Sequence, residues 1–362
     1  MKSKKEDNIK ILNYNILAQS LLNDSLHMTD EEIDNIQYLK EDYRLNKIFE
    51  KIEELNPDIC LFQEFENNGK LEKMFASKNI KNYEIIFKKR PGDHKEGCAI
   101  AYDKKKFRLE YYCSLELRAE NIKKEKYQKK SLYTKENVAT MVVLESNKTS
   151  FYYLIICSHL LFNNKRGDIK LAQIYQIIQS ALLIKDYYKD IPITTILGGD
   201  FNSTQKSAIY DFITSKQLNC EFLNKYNLSG QNNEDYISSE SLLEENLGWY
   251  NEIVNTYPKF NDNRIILITK KHDRDEYDDE KGLILENKVV MKSFYKEKNG
   301  KEPKLTSLSK PFKGTFDFMF YNTDYNLDIK NVLDIPENII DIPDKNNPSD
   351  HFPLFVEFDI HN

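Results

Sequence analysis

Cysteine is scarce and scattered: five in 362 residues, unevenly spaced and with no Cys-x-x-Cys pair, which excludes a disulfide framework and a thiolate zinc site. Long apolar runs are missing as well. The longest, around Phe151 to Cys157, falls far short of the roughly 18 residues that cross a bilayer, so no membrane span is expected. The opening residues, MKSKKEDN, are charged where a secretion signal needs an apolar core; a soluble, reduced, intracellular protein of the cytoplasm is the expectation. Nor is positive charge in excess. With 52 Lys and Arg against 58 Asp and Glu the net charge is −6, which argues against a general nucleic-acid coat. A polyanionic ligand must then be met by a local patch or a metal ion. Two patches qualify, Lys123 to Lys135 (KKEKYQKKSLYTK) and the Lys165–Arg166 pair in NNKRGD, and each also reads as plain solvated surface.

What is present is a globular core. Twenty-three Tyr, 20 Phe and 40% hydrophobic residues bury enough surface to offset chain entropy. Short β-rich segments bounded by polar, Pro or Gly residues predict strands at Ile9 to Leu17, Asp58 to Gln63, Tyr83 to Phe87, Cys98 to Tyr102, Val138 to Leu144, Phe151 to Ser158, Thr194 to Leu197, Thr315 to Tyr321 and Leu354 to Phe358. Helical spacing appears at Tyr43 to Leu55, which Pro57 stops, and at Ile169 to Tyr188. Strands outnumber helices, so the expected architecture is α/β: one domain over residues 1–362, a sandwich of two mixed β-sheets flanked by helices. The Glu, Asp, Asn and Lys rich stretch from about 230 to 310, with a weak β pattern near Arg264 to Thr269, reads as a surface insertion. No internal repeat is found.

Polar residues interrupt or end the apolar strands. Asn15 stands inside IKILNYNILA, Glu64 ends PDICLFQEF, His159 ends YYLIICSHLLF, and Asp200 and Asn202 close ILGGDFNS. Asp317 sits among aromatics in GTFDFMFY, and Asp350 and His351 precede the last strand in NPSDHFPLFVEF. Each alone reads as a satisfied core amide, a solvated strand end or a packing histidine. Together they are harder to dismiss, because burying several carboxylates side by side costs several kcal/mol each unless they are paired or hold a cation. Carboxylate and amide oxygens without thiolate suit a hard ion, Mg²⁺ or Mn²⁺, that also takes phosphate oxygens.

In order along the chain, NYNILAQ, LFQE, SHLLFN, GGDFN, TFDFMFY and SDHFPL resemble the motif set of the endonuclease/exonuclease/phosphatase superfamily, whose members include DNase I. Within it, EDYR, KKRPGDHKEGCAIAYDKKKF, ENVATMVVLE, HLLFNNKRGDIKLAQ and GGDFNSTQKSAIYDFI resemble the deadenylase-like branch of carbon-catabolite-repressor deadenylases, nocturnin and Angel proteins. The RGDIKLAQ run and LSGQ at Leu228 to Gln231 are most similar to the Angel members. The resemblance implies a DNase I-like sandwich with its site at the top between the sheets.

It also implies roles. Glu64 is the principal metal ligand, Asn15 completes the shell and Asp350 serves a second ion; Asp200 accepts the proton of the attacking water, and Asn202 orients that water. His159 and His351 donate to phosphate oxygens, with Asp317 fixing the His351 tautomer. Asn137 of ENVATMVVLE, Asn164 and Arg166 of the loop after His159, and Phe312 of PFKGTFD are placed at the substrate. In poly(A)-cleaving relatives an adenine is gripped by a Phe, a Pro and the Asn of GDFN. Phe312 and Asn202 match, but Asn164 stands at the Pro position, and stacking worth roughly 1–3 kcal/mol per base is reduced accordingly. The implied activity is metal-assisted hydrolysis at RNA 3′ ends, either exonucleolytic on adenylate tails or opening terminal 2′,3′-cyclic phosphates, which is associated with Angel-type relatives. A small-molecule phosphatase acting on inositol phosphates or a dinucleotide is the alternative, as is an inactive RNA- or protein-binding scaffold. Nothing in the chain identifies a protein partner.

Overall fold

The computed structural model describes residues 5–78, 81–117, 136–232, 234–256, 282–308, 313–337 and 341–362. Its strands are β1 (Glu6–Asn15), β2 (Ile59–Glu66), β3 (Tyr83–Lys89), β4 (Glu96–Asp103), β5 (Phe107–Glu116), β6 (Val138–Ser146), β7 (Tyr152–His159), β8 (Ile193–Asp200), β9 (Gln217–Asn219), β10 (Ile284–Glu286), β11 (Lys292–Ser293), β12 (Asp317–Asn322), β13 (Asn326–Val332) and β14 (Leu354–His361). Its helices are α1 (Leu22–Leu26), α2 (Asp30–Asp34), α3 (Glu41–Leu55), α4 (Lys70–Lys78), α5 (Gly167–Tyr187), α6 (Ala208–Thr214), α7 (Leu243–Val254) and α8 (Phe294–Asn299).

Two six-stranded sheets form, in the orders β13-β14-β1-β2-β4-β3 and β11-β12-β8-β7-β6-β5. Both are mixed: β1 and β2 run parallel in one, β7 and β8 in the other, and the remaining pairs are antiparallel. Between the sheets lies a core fed from both, with Ile11, Leu61 and Ile100 on one side and Val142, Ile155 and Met319 on the other. The outer face of the first sheet is covered by α3 and α4, through Ile48, Phe49, Ile52, Leu71 and Phe75. Helices α5, α6 and α7 cover the other. Because α5 has the sheet on one side and α6 and α7 on the other, it is apolar almost all round.

Strands β5 and β13, absent from the expected set, are edges. An edge strand half in water carries charges at alternate positions, as FRLEYYCSLE and NLDIKNV do, and that weakens its apolar signal.

The stretch expected as a surface insertion needs correcting where it is described. Trp249, Tyr250 and Ile253 of α7, with Leu283, Leu285, Val289 and Met291, are buried in the outer core. Phe294 and Tyr295 of α8 enter the core between the sheets, and β11 extends the second sheet. The average composition is polar, but the apolar residues come in close pairs, enough for short elements that dock on a larger body. The weak β pattern near Arg264 to Thr269, Phe312 and the Lys123 to Lys135 patch lie outside the described residues.

Register brings the chemistry together. Asn15 lies opposite Gln63 on β1 and β2, and Asp200 lies opposite both His159 and Asp317 on β8, β7 and β12. Directly opposite residues share a sheet face, so three of the polar strand ends must project together. Close approach of the sheets here requires Gly198, where a Cβ would stand 2.5 Å from the Leu61 Cδ1 and 3.1 Å from the Asn13 Oδ1.

Gly230, in the LSGQ turn, has φ +65 and leaves no space for a side chain: a Cβ would meet the Thr204 Oγ1 at 2.4 Å and the Lys206 carbonyl at 2.7 Å. Gly230→Ala should cost about 2 kcal/mol or more of stability, read as a fall of several degrees in the thermal melting midpoint.

Candidate active site

Asn15, at the end of β1 and fully buried, uses its amide as a bridge. Its Nδ2 donates to the Glu64 Oε1 and the Asp200 Oδ2, both at 3.1 Å, while its Oδ1 accepts from the Leu17 N–H at 3.1 Å. Glu64 stands in a bulge of β2, where the register with β4 slips between Phe62 and Phe65, at φ +55. A non-glycine residue in that region is strained. The bulge turns the carboxylate out of the alternation toward Asn15. Its other oxygen accepts from the Ala18 N–H at 3.1 Å. Burial raises its pKa above the usual carboxylate range and Asp350 adds to this, against the lowering effects of His159, the Asn15 hydrogen bond and His351.

Asp200 is the centre. Beyond Asn15, its Oδ2 is faced by the His159 Nε2 at 3.5 Å and the His351 Nε2 at 3.6 Å. Its Oδ1 accepts from the Asn202 N–H at 2.9 Å. Asn202 adopts φ +47, a conformation asparagine takes more readily than most residues, and its side chain donates to the Leu160 carbonyl at 3.1 Å. His351 Nδ1 meets the Asp317 Oδ2 at 2.8 Å. Burial would lower the His351 pKa, but the charges of Asp317 and Asp200 and the Asp317 hydrogen bond carry it well above its ordinary value. Burial likewise pushes Asp317 up, and its Oδ1 is buried without a hydrogen-bond partner. Asp350 accepts from the Ser25 hydroxyl at 2.7 Å.

The seven residues Asn15, Glu64, His159, Asp200, Asn202, Asp317 and His351 therefore form one connected cluster, with Asp350 beside it. Of the expected substrate residues, Asn137, Asn164 and Arg166 are described, each with partners of its own. Asn137 is buried behind the site, donating to the His159 carbonyl at 3.1 Å and accepting from Gln173 at 3.0 Å. Asn164 tethers two loops, through the Ser229 hydroxyl on its carbonyl at 2.7 Å and its own amide on Asn232 at 3.5 Å. Arg166, just before α5, engages both oxygens of Asp168 in the first helical turn at 2.9 Å.

A divalent cation fits the cluster. Single ligand atoms of Asp200, Asp317 and His351 lie within 4.8 Å of one another. Among the described residues no Lys or Arg pairs with Glu64, Asp200, Asp317 or Asp350, their ion-pair partners being histidines alone. Buried carboxylates with that little compensation, and an orphaned Asp317 oxygen, match a hard ion taking oxygen ligands.

Three supports lie inside the motifs EDYR and RGDIKLAQ, where reading the sequence assigned them no role. Arg44 of α3, buried and without a carboxylate partner in hydrogen-bond range, holds the Pro348 and Ile16 carbonyls at 2.6 Å, the Leu17 carbonyl and the Gln19 side chain at 2.9 Å. It thereby fastens the loop after Asn15 to the loop before Asp350. Gln173 accepts from the Leu161 N–H at 3.0 Å. Lys170, fully buried on α5, donates to the Asn202 carbonyl and to Gln231 at 3.0 Å. A signal existed for both cations: Arg44 falls on the stripe of Ile48 and Ile52, and Lys170 interrupts an apolar helix as Asn15 interrupts a strand.

Burial moves the Lys170 ammonium down to about 7, with Asp200 pulling the other way. In the unfolded chain it stays protonated to near its ordinary value of 10.5, so between these limits the unfolded state binds the extra proton and folding gains with pH. The melting midpoint of the wild type should therefore rise relative to that of Lys170→Met as pH goes from 7 to 10, at no more than about 1.4 kcal/mol per pH unit.

A sequence profile of the Endonuclease/Exonuclease/phosphatase family matches residues 12–351. Carbon catabolite repressor protein 4 homolog 3 of Arabidopsis thaliana is 30% identical over 363 residues, covering 96% of this chain and 74% of that protein. Protein angel of Drosophila melanogaster is 31% identical over 212 residues, covering 57% of this chain and 56% of that protein. Among solved structures, ANGEL2, a 2′,3′-cyclic phosphatase in complex with adenosine-2′,3′-vanadate, superposes with a TM-score of 0.75 at 24% identity, covering 99% of both chains. Among the described residues no helix is long and apolar enough to cross a membrane. Because the matched residues run from β1 to the loop before β14, and so include every strand end that feeds the cluster, the chain belongs to the endonuclease/exonuclease/phosphatase family.

Proposed function

We propose that this chain hydrolyses phosphoester bonds at RNA 3′ ends, opening terminal 2′,3′-cyclic phosphates, with the help of a divalent ion. The observation that carries the reading is the convergence of two imidazole Nε2 atoms and one amide on a single buried oxygen of Asp200. That is a base surrounded by hydrogen-bond donors, with no hydroxyl or thiol among the described residues hydrogen-bonded to it, and it suits attack by water. The relationship to the Angel proteins and the Asn164 substitution in the adenine clamp favour a cyclic end over an adenylate tail.

Asp200 accepts the proton of the water whose oxygen forms the new bond to phosphorus. Asn202, fixed by its left-handed turn, orients that water. His351, charged and aligned by Asp317, donates to a phosphate oxygen whose charge grows in the transition state, and His159 does so from the facing strand. One bridging P–O bond breaks, and the departing sugar oxygen ends as a hydroxyl. Glu64 and Asn15, with Asp350 alongside, would hold a Mg²⁺ or Mn²⁺ ion, which when bound neutralises charge on the phosphate and the leaving oxygen.

The test offers the purified protein an oligonucleotide ending in a 2′,3′-cyclic phosphate, an oligo(A) with a free 3′ hydroxyl and an inositol phosphate, each with Mg²⁺ and with chelator. Rapid ring opening that chelator stops is the expected result. Cleavage of the inositol phosphate alone would replace this reading with a small-molecule phosphatase, and inertness toward all three would leave a binding scaffold.

A further inference from the structure

We propose that Gln63 and Cys157 are positioning residues for the reaction proposed above, on which this role rests. Their contact sets the spacing of the two sheets directly beneath the site, and with it the distance between the half of the chemistry built on the first sheet and the half built on the second.

The division follows from the strand orders. Asn15 ends β1, Glu64 stands in β2 and Asp350 lies in the loop before β14, all strands of the first sheet; His159 ends β7, Asp200 ends β8 and Asp317 opens β12, all strands of the second. The groups assigned to the ion thus come from one sheet, and those assigned to the water and its proton from the other. Two contacts join the halves at the site. One is the His351–Asp317 pair at 2.8 Å. The other is the Asn15 amide, whose Nδ2 reaches Glu64 on its own sheet and Asp200 on the facing one, both at 3.1 Å. There is little slack here, since widening the gap by about half an ångström takes the Asp200 bond beyond hydrogen-bond range.

One step deeper the interior is polar where a sandwich core is ordinarily apolar. Asn13, two residues before Asn15, and Gln63, one before Glu64, are fully buried, as is Cys157, two before His159. The Gln63 Nε2 donates to the Asn13 Oδ1 at 2.9 Å and, across the gap, to the Cys157 Sγ at 3.2 Å; the thiol donates back to the Phe62 carbonyl at 3.3 Å. Two further bonds cross between neighbouring strands, from the Thr140 hydroxyl of β6 to the Cys98 carbonyl of β4 at 2.9 Å and from the Cys98 thiol to the Val138 carbonyl at 3.5 Å. Register places them in line with the site: Thr140 lies opposite Cys157, and Val138 opposite His159.

Apolar packing has no direction and lets sheets slide, whereas a hydrogen bond fixes length and angle. Gln63 also anchors its own strand. Neither it nor Glu64 has a register partner on β4, so the ladder holds this strained bend from the β1 side only, and the Gln63 side chain supplies a second hold. The layer is kept at a cost, for the Asn13 Nδ2 and the Gln63 Oε1 are buried without hydrogen-bond partners among the described residues. Stability alone would favour an apolar pair; a fixed gap favours the amide and the thiol.

The experiment compares wild type with Gln63→Met, Cys157→Ala and Cys157→Ser, each assayed well below its melting midpoint. Turnover is read with Mg²⁺ on an oligonucleotide ending in a 2′,3′-cyclic phosphate and on the generic diester bis-p-nitrophenyl phosphate, and Mn²⁺ affinity is read by electron paramagnetic resonance without substrate. Gln63→Met, of like length but without the amide, should lower kcat on both esters by about tenfold to a hundredfold, the scale of a misplacement of up to about 1 Å. Its Mn²⁺ affinity should stay at the wild-type value, because the groups assigned to the ion share one sheet. Cys157→Ala should behave in the same way, and Cys157→Ser, whose hydroxyl can take both partners of the thiol, should keep most of the turnover. Mere packing predicts the reverse order, since a buried hydroxyl costs more than a buried methyl group. Wild-type turnover in Gln63→Met, an alanine variant as active as the serine variant, or Mn²⁺ affinity lost along with kcat overturns the role. If the wild type hydrolyses the generic diester, with the variants in the expected order, but leaves the cyclic end intact, the role stands and the proposed RNA reaction falls. Inertness of the wild type toward both esters removes the two together.

Discussion

Asp200→Asn should fold and lose about three orders of magnitude in kcat on a cyclic-phosphate end, the middle of the range for removing a general base. Asparagine keeps the volume and keeps an oxygen for the Asn202 N–H, at the cost of the hydrogen bond from the Asn15 amide, which then faces an NH2 group. What disappears is the negative charge that two histidines face at 3.5 and 3.6 Å. Two consequences follow together: the attacking water has no acceptor for its proton, and His351 loses one of the charges that hold its proton on. A melting midpoint near that of the wild type beside the lost turnover separates chemistry from structure. Retention of more than a tenth of wild-type turnover in a well-folded variant would remove Asp200 from the role of base.

The site was legible because burial made its residues conspicuous. An apolar strand that ends in Glu, His or Asp breaks its own pattern, and the motif order supplied the partners that no local pattern could. Register then does what sequence spacing cannot show: Asp200 meets His159, 41 residues earlier, only because β7 and β8 are parallel neighbours, and meets Asp317 because β12 pairs with the other side of β8. Arg166 has a local partner for a comparable reason. Its neighbour two positions on, Asp168, begins α5 and captures the guanidinium locally, which a reading of basic residues near a motif does not anticipate. Lys170 and Arg44, though inside the quoted motifs, received no role because long side chains in helices are ordinarily read as solvated; only the helix's surroundings, sheet on one side and packed helices or loops on the other, reveal them as buried. The polar stretch after Gly230 was misjudged through averaging, since Leu283, Leu285, Val289, Met291, Phe294 and Tyr295 are too few to lift its mean composition yet enough to bury six side chains.

Asp317→Asn carries the second large effect, and it appears as a displacement along the pH axis. Asp317 faces the Nδ1 of His351 at 2.8 Å, so the Nε2 that points to Asp200 bears a donor proton chiefly when the ring is charged. In the wild type that cationic form persists well above the ordinary histidine range, because the charges of Asp317 and Asp200 and the Asp317 hydrogen bond together override the lowering effect of burial. Removing the Asp317 charge leaves burial opposed by less, and an opposite charge at this distance is worth about 1 to 3 pH units. The alkaline limb of kcat/KM should therefore move to lower pH by at least about one unit. Stability has the same sign. A raised folded-state pKa stabilises below the unfolded value of about 6.5 and ceases to do so as pH climbs through the folded value; Asp317, itself raised by burial, also makes the wild type lose stability as pH rises. The variant should consequently melt furthest below the wild type in mildly acid buffer and approach it in alkaline buffer. An alkaline limb that stays in place, measured on enzyme shown to be folded across the range, would mean that His351 does not act through its charged form and that Asp317 only packs beside it.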